Sequence, residues 1–208
     1  MAATCQIGRT LASVFGCGRE TPIVATTSFH DLSARVLSED MVKFDMFKDK
    51  VLLVANVATK CLTKQNYAEL DELCSELKEE PFELPLGRRR RGEAFGALPS
   101  AEGNGNGHAT YQGKPEDIGN FITGKLPKAN FTIFQKSHVN GKATHPAWHF
   151  CRYNAEETRR GKYMLPIPWN FAKFLLDKEG RVYKYYSPKV PPSQIKEDIK
   201  GLLAGTLQ

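Results

Sequence analysis

The chain has no C-x-x-C pair, no Cys/His grouping at zinc-ligand spacing, no apolar run of membrane-spanning length and no internal repeat. Five cysteines are present, Cys5, Cys17, Cys61, Cys74 and Cys151, an odd number with no secretory signal before them. That pattern argues against a disulfide framework and a structural zinc site, and for free thiols in a reducing compartment. Without a long apolar segment there is no candidate membrane span. Gly16-Cys17-Gly18 and the run Gly103-Asn104-Gly105-Asn106-Gly107 do not match a phosphate-cradling loop. Acidic residues are scarce in residues 1–27, where Glu20 stands alone against Arg9 and Arg19 among Ala, Ser and Thr. Such a composition suits an organelle transit peptide, and equally a disordered N-terminal extension.

What is present is ordinary for a globular protein: 208 residues, 41% hydrophobic and 25% charged. That length can bury a full core, and one domain is expected, over residues 28–205. The net charge of +6 owes much to one run, Arg88-Arg89-Arg90-Arg91, so basicity is local and nucleic acid is not the expected partner.

Periodicity divides the chain. Phe29 to Leu37 and Met41 to Phe47 read as a pair of short extended segments. Val51 to Val57 is a β-branched and leucine run, as in a strand covered on both faces. From Thr63 to Glu79 the spacing of Tyr67, Leu70, Leu73, Cys74 and Leu77 is helical, and Pro81 closes that helix. Strand, cysteine, then helix opens a thioredoxin-like βαβ layout. Pro85 and the arginine run then break the pattern, and residues 85–114 read as a flexible insertion. An abrupt break of this kind is also what a retained intron or frameshift over 85–111 would leave. Order returns at Pro115-Glu116-Asp117-Ile118, where proline and acids suit a first helical turn. Asn130 to Phe134 is expected to be extended. His145-Pro146-Ala147-Trp148 should open a helix, Phe171 to Leu176 and Arg181 to Ser187 a hairpin, and Pro192 to Leu203 a last helix.

Cys61 follows the apolar strand and precedes a helix. There its sulfur would meet spare backbone N–H groups and the positive end of the helix dipole, with Lys60 and Lys64 nearby, all of which favour the thiolate. A thiolate can attack a peroxide O–O bond and become a sulfenic acid, which a second thiol must reduce. The indole of Trp169 and the carboxamide of Asn170 are the kinds of donor that would stabilise the thiolate and protonate the leaving oxygen. Taken alone, a single cysteine is more often a small buried hydrophobe than a reactive one. Cys74, on the apolar face of its helix, and Cys151, after Trp148 and Phe150, read that way.

Several segments together resemble the glutathione peroxidase family: Phe29-His30-Asp31-Leu32, Lys50 to Cys61 with Thr63, Asn66 and Tyr67, Phe134 with Val139-Asn140-Gly141, His145-Pro146-Ala147-Trp148, and Trp169-Asn170-Phe171-Ala172-Lys173-Phe174-Leu175. The resemblance covers residues 29–84 and 115–200. It implies a thioredoxin-like α/β fold with a central mixed sheet flanked by helices. It also implies a peroxidase acting on hydrogen peroxide and organic or lipid hydroperoxides in the oxidative stress response, without metal, flavin or nucleotide. Cys61 is then the peroxidatic residue and Trp169 and Asn170 its hydrogen-bonding partners. The reductant is glutathione or thioredoxin. Members reduced by thioredoxin carry a resolving cysteine in the helix after the insertion, and Phe121-Ile122-Thr123-Gly124-Lys125 has none, which favours glutathione.

The chain departs from the family at two places. Leu62 stands where the family has glycine after the reactive residue. The Cys-Asn-Gln-Phe-Gly segment with its catalytic glutamine is absent, and Gln112 is the candidate substitute. Two other readings follow: a redox sensor that keeps Cys61 but turns over poorly, and a binding protein acting through Arg88–Arg91. The expected compartment is the cytoplasm, or a mitochondrion or plastid if residues 1–27 are a targeting segment.

Overall fold

The computed structural model describes residues 28–57, 64–89, 115–161 and 163–207. Strands β1 (Ser33–Arg35) and β2 (Met41–Lys43) form an antiparallel pair. The extended segments expected here shrink to three residues each, because a 3-10 turn precedes β1 (Phe29–Asp31) and another follows β2 (Phe44–Phe47). These turns swing Phe29, Phe44 and Phe47 into one cluster, where the Phe29 and Phe44 rings stack at 4.6 Å. A straight strand would send alternate side chains to opposite faces and could not do this.

β3 (Val51–Val57) is buried at all seven residues, Asn56 included, as expected for a strand covered on both faces. Helix α1 (Lys64–Glu76) buries Tyr67, Leu70, Leu73 and Cys74 along the expected face. β4 (Phe82–Arg89), α2 (Pro115–Lys125), β5 (Phe131–Ser137) and α3 (Pro146–Asn154) follow. α3 begins where predicted: Pro146 sits at its first turn, and His145 caps it by accepting from the Ala147 N–H at 3.2 Å. A two-residue ribbon, β6 (Arg159–Arg160) and β7 (Tyr163–Met164), leads to the hairpin β8 (Lys173–Leu176) and β9 (Val182–Tyr186). A 3-10 turn at Pro192–Ile195 runs into α4 (Lys196–Leu203), so the expected last helix is split into two geometries.

The central sheet has the order β5-β4-β3-β8-β9. β3, β4 and β5 are parallel; β8 and β9 are antiparallel to their neighbours. This is the mixed, helix-flanked sheet expected from the sequence. Val51, Leu53, Ala55 and Val57 face α1, α2 and α4, while Leu52 and Val54 face α3 and the β1–β2 pair.

One expectation fails. Pro85 does not end the strand, and residues 85–89 are not loop: β4 runs through Pro85 in the interior of the sheet and carries Arg88 and Arg89 with it. The register to β5 continues through Leu84, Pro85 and Leu86, whereas the partners on β3 skip Leu84 and Pro85 and resume at Ala55↔Leu86. The missing donor therefore falls on the β3 side. One lost ladder bond costs about 1 kcal/mol net. Burying Phe82, Leu84 and Leu86 contributes roughly 1.5–3 kcal/mol each, so burial wins. Next in the strand, Gly87 lies under the Trp148 indole, and a Cβ there would overlap the ring.

Candidate active site

β3 ends at Val57, four positions before Cys61. Cys61, with Lys60 and Leu62, lies outside the described residues, as do Gln112 and residues 1–27 and 90–114. Trp169 and Asn170 are described. They lie in a turn that precedes β8, not in the strand itself, and this turn abuts the C-terminal end of β3.

The turn is built on Phe171, a wholly buried residue with φ of 63°. A bulky residue in left-handed conformation costs about 1–3 kcal/mol and persists only where its surroundings over-determine it. They do so here. The Phe171 N–H donates to the Asn56 carbonyl at 2.6 Å, and the Asn56 N–H donates to the Ala172 carbonyl at 3.2 Å. The Asn56 side-chain N–H donates to the Trp169 carbonyl at 3.1 Å. The Lys173 ammonium donates to the Phe171 carbonyl at 2.6 Å. The Phe171 ring packs edge-on against Tyr67 of α1 at 5.0 Å. Held this way, Trp169 stays 43% exposed at the rim while the adjoining Asn170 is 9% exposed.

The same pinning extends upstream. Arg152 of α3, almost fully buried, donates to the carbonyls of Leu165 (3.1 Å), Val139 (3.3 Å) and Met164 (3.4 Å). Asn140 brackets Ile167, accepting its N–H at 2.8 Å and donating to its carbonyl at 3.0 Å. Polar side chains thus take the place of sheet or helix bonding for the carbonyls of Met164, Leu165, Ile167, Trp169 and Phe171 and for the Ile167 N–H.

Lys173 is the unusual member. It is wholly inaccessible, and burial pulls its pKa down to about 8; Glu69 on α1 opposes that shift. Glu69 is itself held by the Ser193 N–H (3.2 Å), the Ser193 hydroxyl (2.9 Å) and Gln65 (2.8 Å), bonds that lower its pKa against burial. Asn56 is also fully buried, and its Oδ1 has no hydrogen-bond partner among the described residues. Neither residue stood out in the sequence as part of a site. The available signal was an amide and an ammonium inside otherwise apolar strand patterns.

The other described cysteines are packed. Burial, with Asp71 and Glu83 nearby, pushes the Cys74 thiol up to about 12, and burial raises Cys151 as well, so neither forms a thiolate near neutral pH. A cavity of about 250 Å³ lies elsewhere, between the β1–β2 pair and α3, lined by Phe29, Phe44, Val54, Phe134 and Trp148; Trp169 and Asn170 are not part of it.

The sheet order and the cross-strand turn define a thioredoxin-like α/β protein. Two crystal structures share this fold at 22% identity: T. cruzi GPX1 (TM-score 0.63, covering 88% of this chain and 100% of that one) and Trgpx in apo form (TM-score 0.61, 86% and 97%). A family model for glutathione peroxidase matches residues 29–86, ending one residue past Pro85. In Arabidopsis thaliana, the putative glutathione peroxidase 7, chloroplastic, is 37% identical over 86% of this chain and 69% of its own length. A probable phospholipid hydroperoxide glutathione peroxidase of Nicotiana sylvestris is 33% identical over 85% and 93%. The chain belongs to the glutathione peroxidase family and is an oxidoreductase of the peroxidase class.

Proposed function

We propose that this protein reduces hydrogen peroxide and organic or lipid hydroperoxides at Cys61, using a thiol as electron donor, in the oxidative stress response. The observation that carries the reading is the Trp169–Asn170 turn, fixed by Asn56 against the end of the strand that leads to Cys61. The Cys61 thiolate attacks the terminal peroxide oxygen. The S–O bond forms, the O–O bond breaks, and the leaving alkoxide or hydroxide takes up a proton to become alcohol or water. Trp169 and Asn170 supply N–H donors to the thiolate and to the departing oxygen. Gln112 is a weaker candidate for the same role. One thiol then displaces water from the sulfenic acid to give a mixed disulfide, and a second thiol releases Cys61 as the thiol. The cycle calls for no metal, flavin or nucleotide.

Glutathione is the favoured reductant and thioredoxin the alternative. α2 contains no cysteine, and Cys74 and Cys151 are too deeply buried to resolve a sulfenic acid. Lipid hydroperoxides are included because several relatives are named phospholipid hydroperoxide glutathione peroxidase. A plastid or mitochondrion is favoured over the cytoplasm, since relatives are named chloroplastic and mitochondrial; no helix among the described residues is long and apolar enough to cross a membrane. Binding through Arg88–Arg91 is an alternative reading; the backbone of Arg88 and Arg89 belongs to β4. The sensor reading rests on Leu62 and on the missing glutamine segment.

The direct test is one equivalent of hydrogen peroxide followed by a sulfenic-acid trap and peptide mass spectrometry. The trap should mark Cys61 and leave Cys74 and Cys151 unmarked. Marking elsewhere, or nowhere, would remove Cys61 from the mechanism.

A further inference from the structure

Between β7 and β8 the chain has no repeating structure, yet it arrives at Trp169 and Asn170 in one defined geometry. Two side-chain bonds flank Asn170, one crossing from β3 and one reaching back from the first residue of β8. Asn56 on β3 holds the Trp169 carbonyl, and Lys173 on β8 holds the Phe171 carbonyl; the Asn170 residue lies between these two fixed peptide groups. Both side chains are wholly buried. Each bonds a backbone carbonyl, and through it acts on the turn. An apolar residue would serve the core at least as well at position 173, where the neighbours in the strand are Ala172, Phe174 and Leu175. What an apolar residue could not do is satisfy the Phe171 carbonyl, which the left-handed turn directs into the protein and away from strand pairing.

We propose that Lys173 and Asn56 are positioning residues of the peroxidase site: from opposite sides they hold Phe171 in its left-handed turn and so set the direction of the Trp169 and Asn170 donors. This rests on the function proposed above. Glu69 of α1 acts on Lys173 electrostatically, and Tyr186 of β9 lies opposite it in the sheet, its hydroxyl donating to Asp198 of α4 at 2.5 Å. An ionised Glu69 has no proton to donate and the Tyr186 hydroxyl is engaged by Asp198, so removing the Lys173 donor should release the turn.

The test uses the full chain with Lys173→Met, which keeps length and loses the donor. Asn56→Leu serves as a second variant should the first not fold. Two readouts are needed. Rapid mixing gives separate rates for thiol oxidation by hydrogen peroxide and for re-reduction by glutathione. Acrylamide quenching of tryptophan emission reports on Trp169, because the other tryptophan, Trp148, is buried. The proposal expects oxidation to slow tenfold or more, re-reduction to change less than twofold, and the quenching constant to shift, with near-ultraviolet circular dichroism still native. Unchanged oxidation with unchanged quenching overturns it. An equal fall in both half-reactions also overturns it, since that marks general loss of structure. If the wild-type protein is not oxidised at Cys61, the proposed function fails, and quenching alone still decides whether Lys173 holds the turn.

Discussion

Lys173→Met should cost little stability at neutral pH and progressively more in alkali. Burial holds Lys173 at a pKa of about 8, against its ordinary 10.5. Keeping the ammonium charged inside the protein at pH 7 therefore costs roughly 3 kcal/mol. Methionine removes that penalty but leaves the Phe171 carbonyl without a donor, at about 1–3 kcal/mol. The two effects nearly cancel, so at pH 7 the variant should lie within about 2 kcal/mol of wild type, less than many buried polar substitutions. The pH dependence is sharper. Below pH 8 both the folded and the unfolded wild type carry the proton, and the penalty is fully present. Between pH 8 and 10.5 the folded protein releases it while the unfolded chain keeps it, so the unfolded state binds more protons and stability rises with pH. Above 10.5 the penalty is gone. Other titrating groups are common to both proteins and drop out of the difference. Urea unfolding of both proteins at pH 7, 8.5 and 10 should show wild type gaining on the variant by roughly 3 kcal/mol across the range. A difference that stays flat with pH would refute the account of Lys173 as a buried, desolvated cation.

Replacing Trp169 by Phe should slow oxidation by hydrogen peroxide at least tenfold, as removal of a positioned donor does, yet lower stability by less than about 1 kcal/mol because the ring is half exposed; stopped-flow oxidation and urea unfolding check the two halves. Arg152→Met should cost about 3 kcal/mol or more, since up to three carbonyls lose their donor in the interior, and urea midpoints will show it. Gly87→Ala should cost about 1–3 kcal/mol by pressing a methyl into the Trp148 ring, read as a drop in the thermal midpoint. Iodoacetamide at pH 8 should leave Cys74 and Cys151 unlabelled in the folded protein, because burial raises both thiols; peptide mapping decides.

Much of the fold was legible because long apolar patterns carry it. The β-branched and leucine run from Val51 to Val57 read as a strand covered on both faces, and the spacing of Tyr67, Leu70, Leu73 and Cys74 suited a helix packed on it. His145-Pro146 announced α3 through cap chemistry, which is local in sequence. Pro85 misled because its cost is also local, one missing donor, whereas the burial that outweighs it belongs to the whole sheet. At the site, Trp169 and Asn170 were legible as donors. Their setting in a turn rather than a strand was not, because Phe171 takes a backbone conformation that nothing in its side chain favours. Asn56, Asn140, Arg152 and Lys173 were overlooked as a group for a related reason. Asn56, Asn140 and Arg152 satisfy backbone groups 12 or more positions away in the chain, and such partners become visible once the strands are paired. Lys173 reaches back two residues to a carbonyl that the left-handed turn directs towards it.

The central claim is that the chain turns over peroxide through Cys61. Steady-state peroxide consumption by the purified full chain, with Cys61→Ser beside it and glutathione and thioredoxin supplied in parallel, tests this most directly. The account predicts turnover in wild type, faster with glutathione than with thioredoxin, and none above background in Cys61→Ser. Equal turnover in both proteins, or none in a folded wild type, would contradict it.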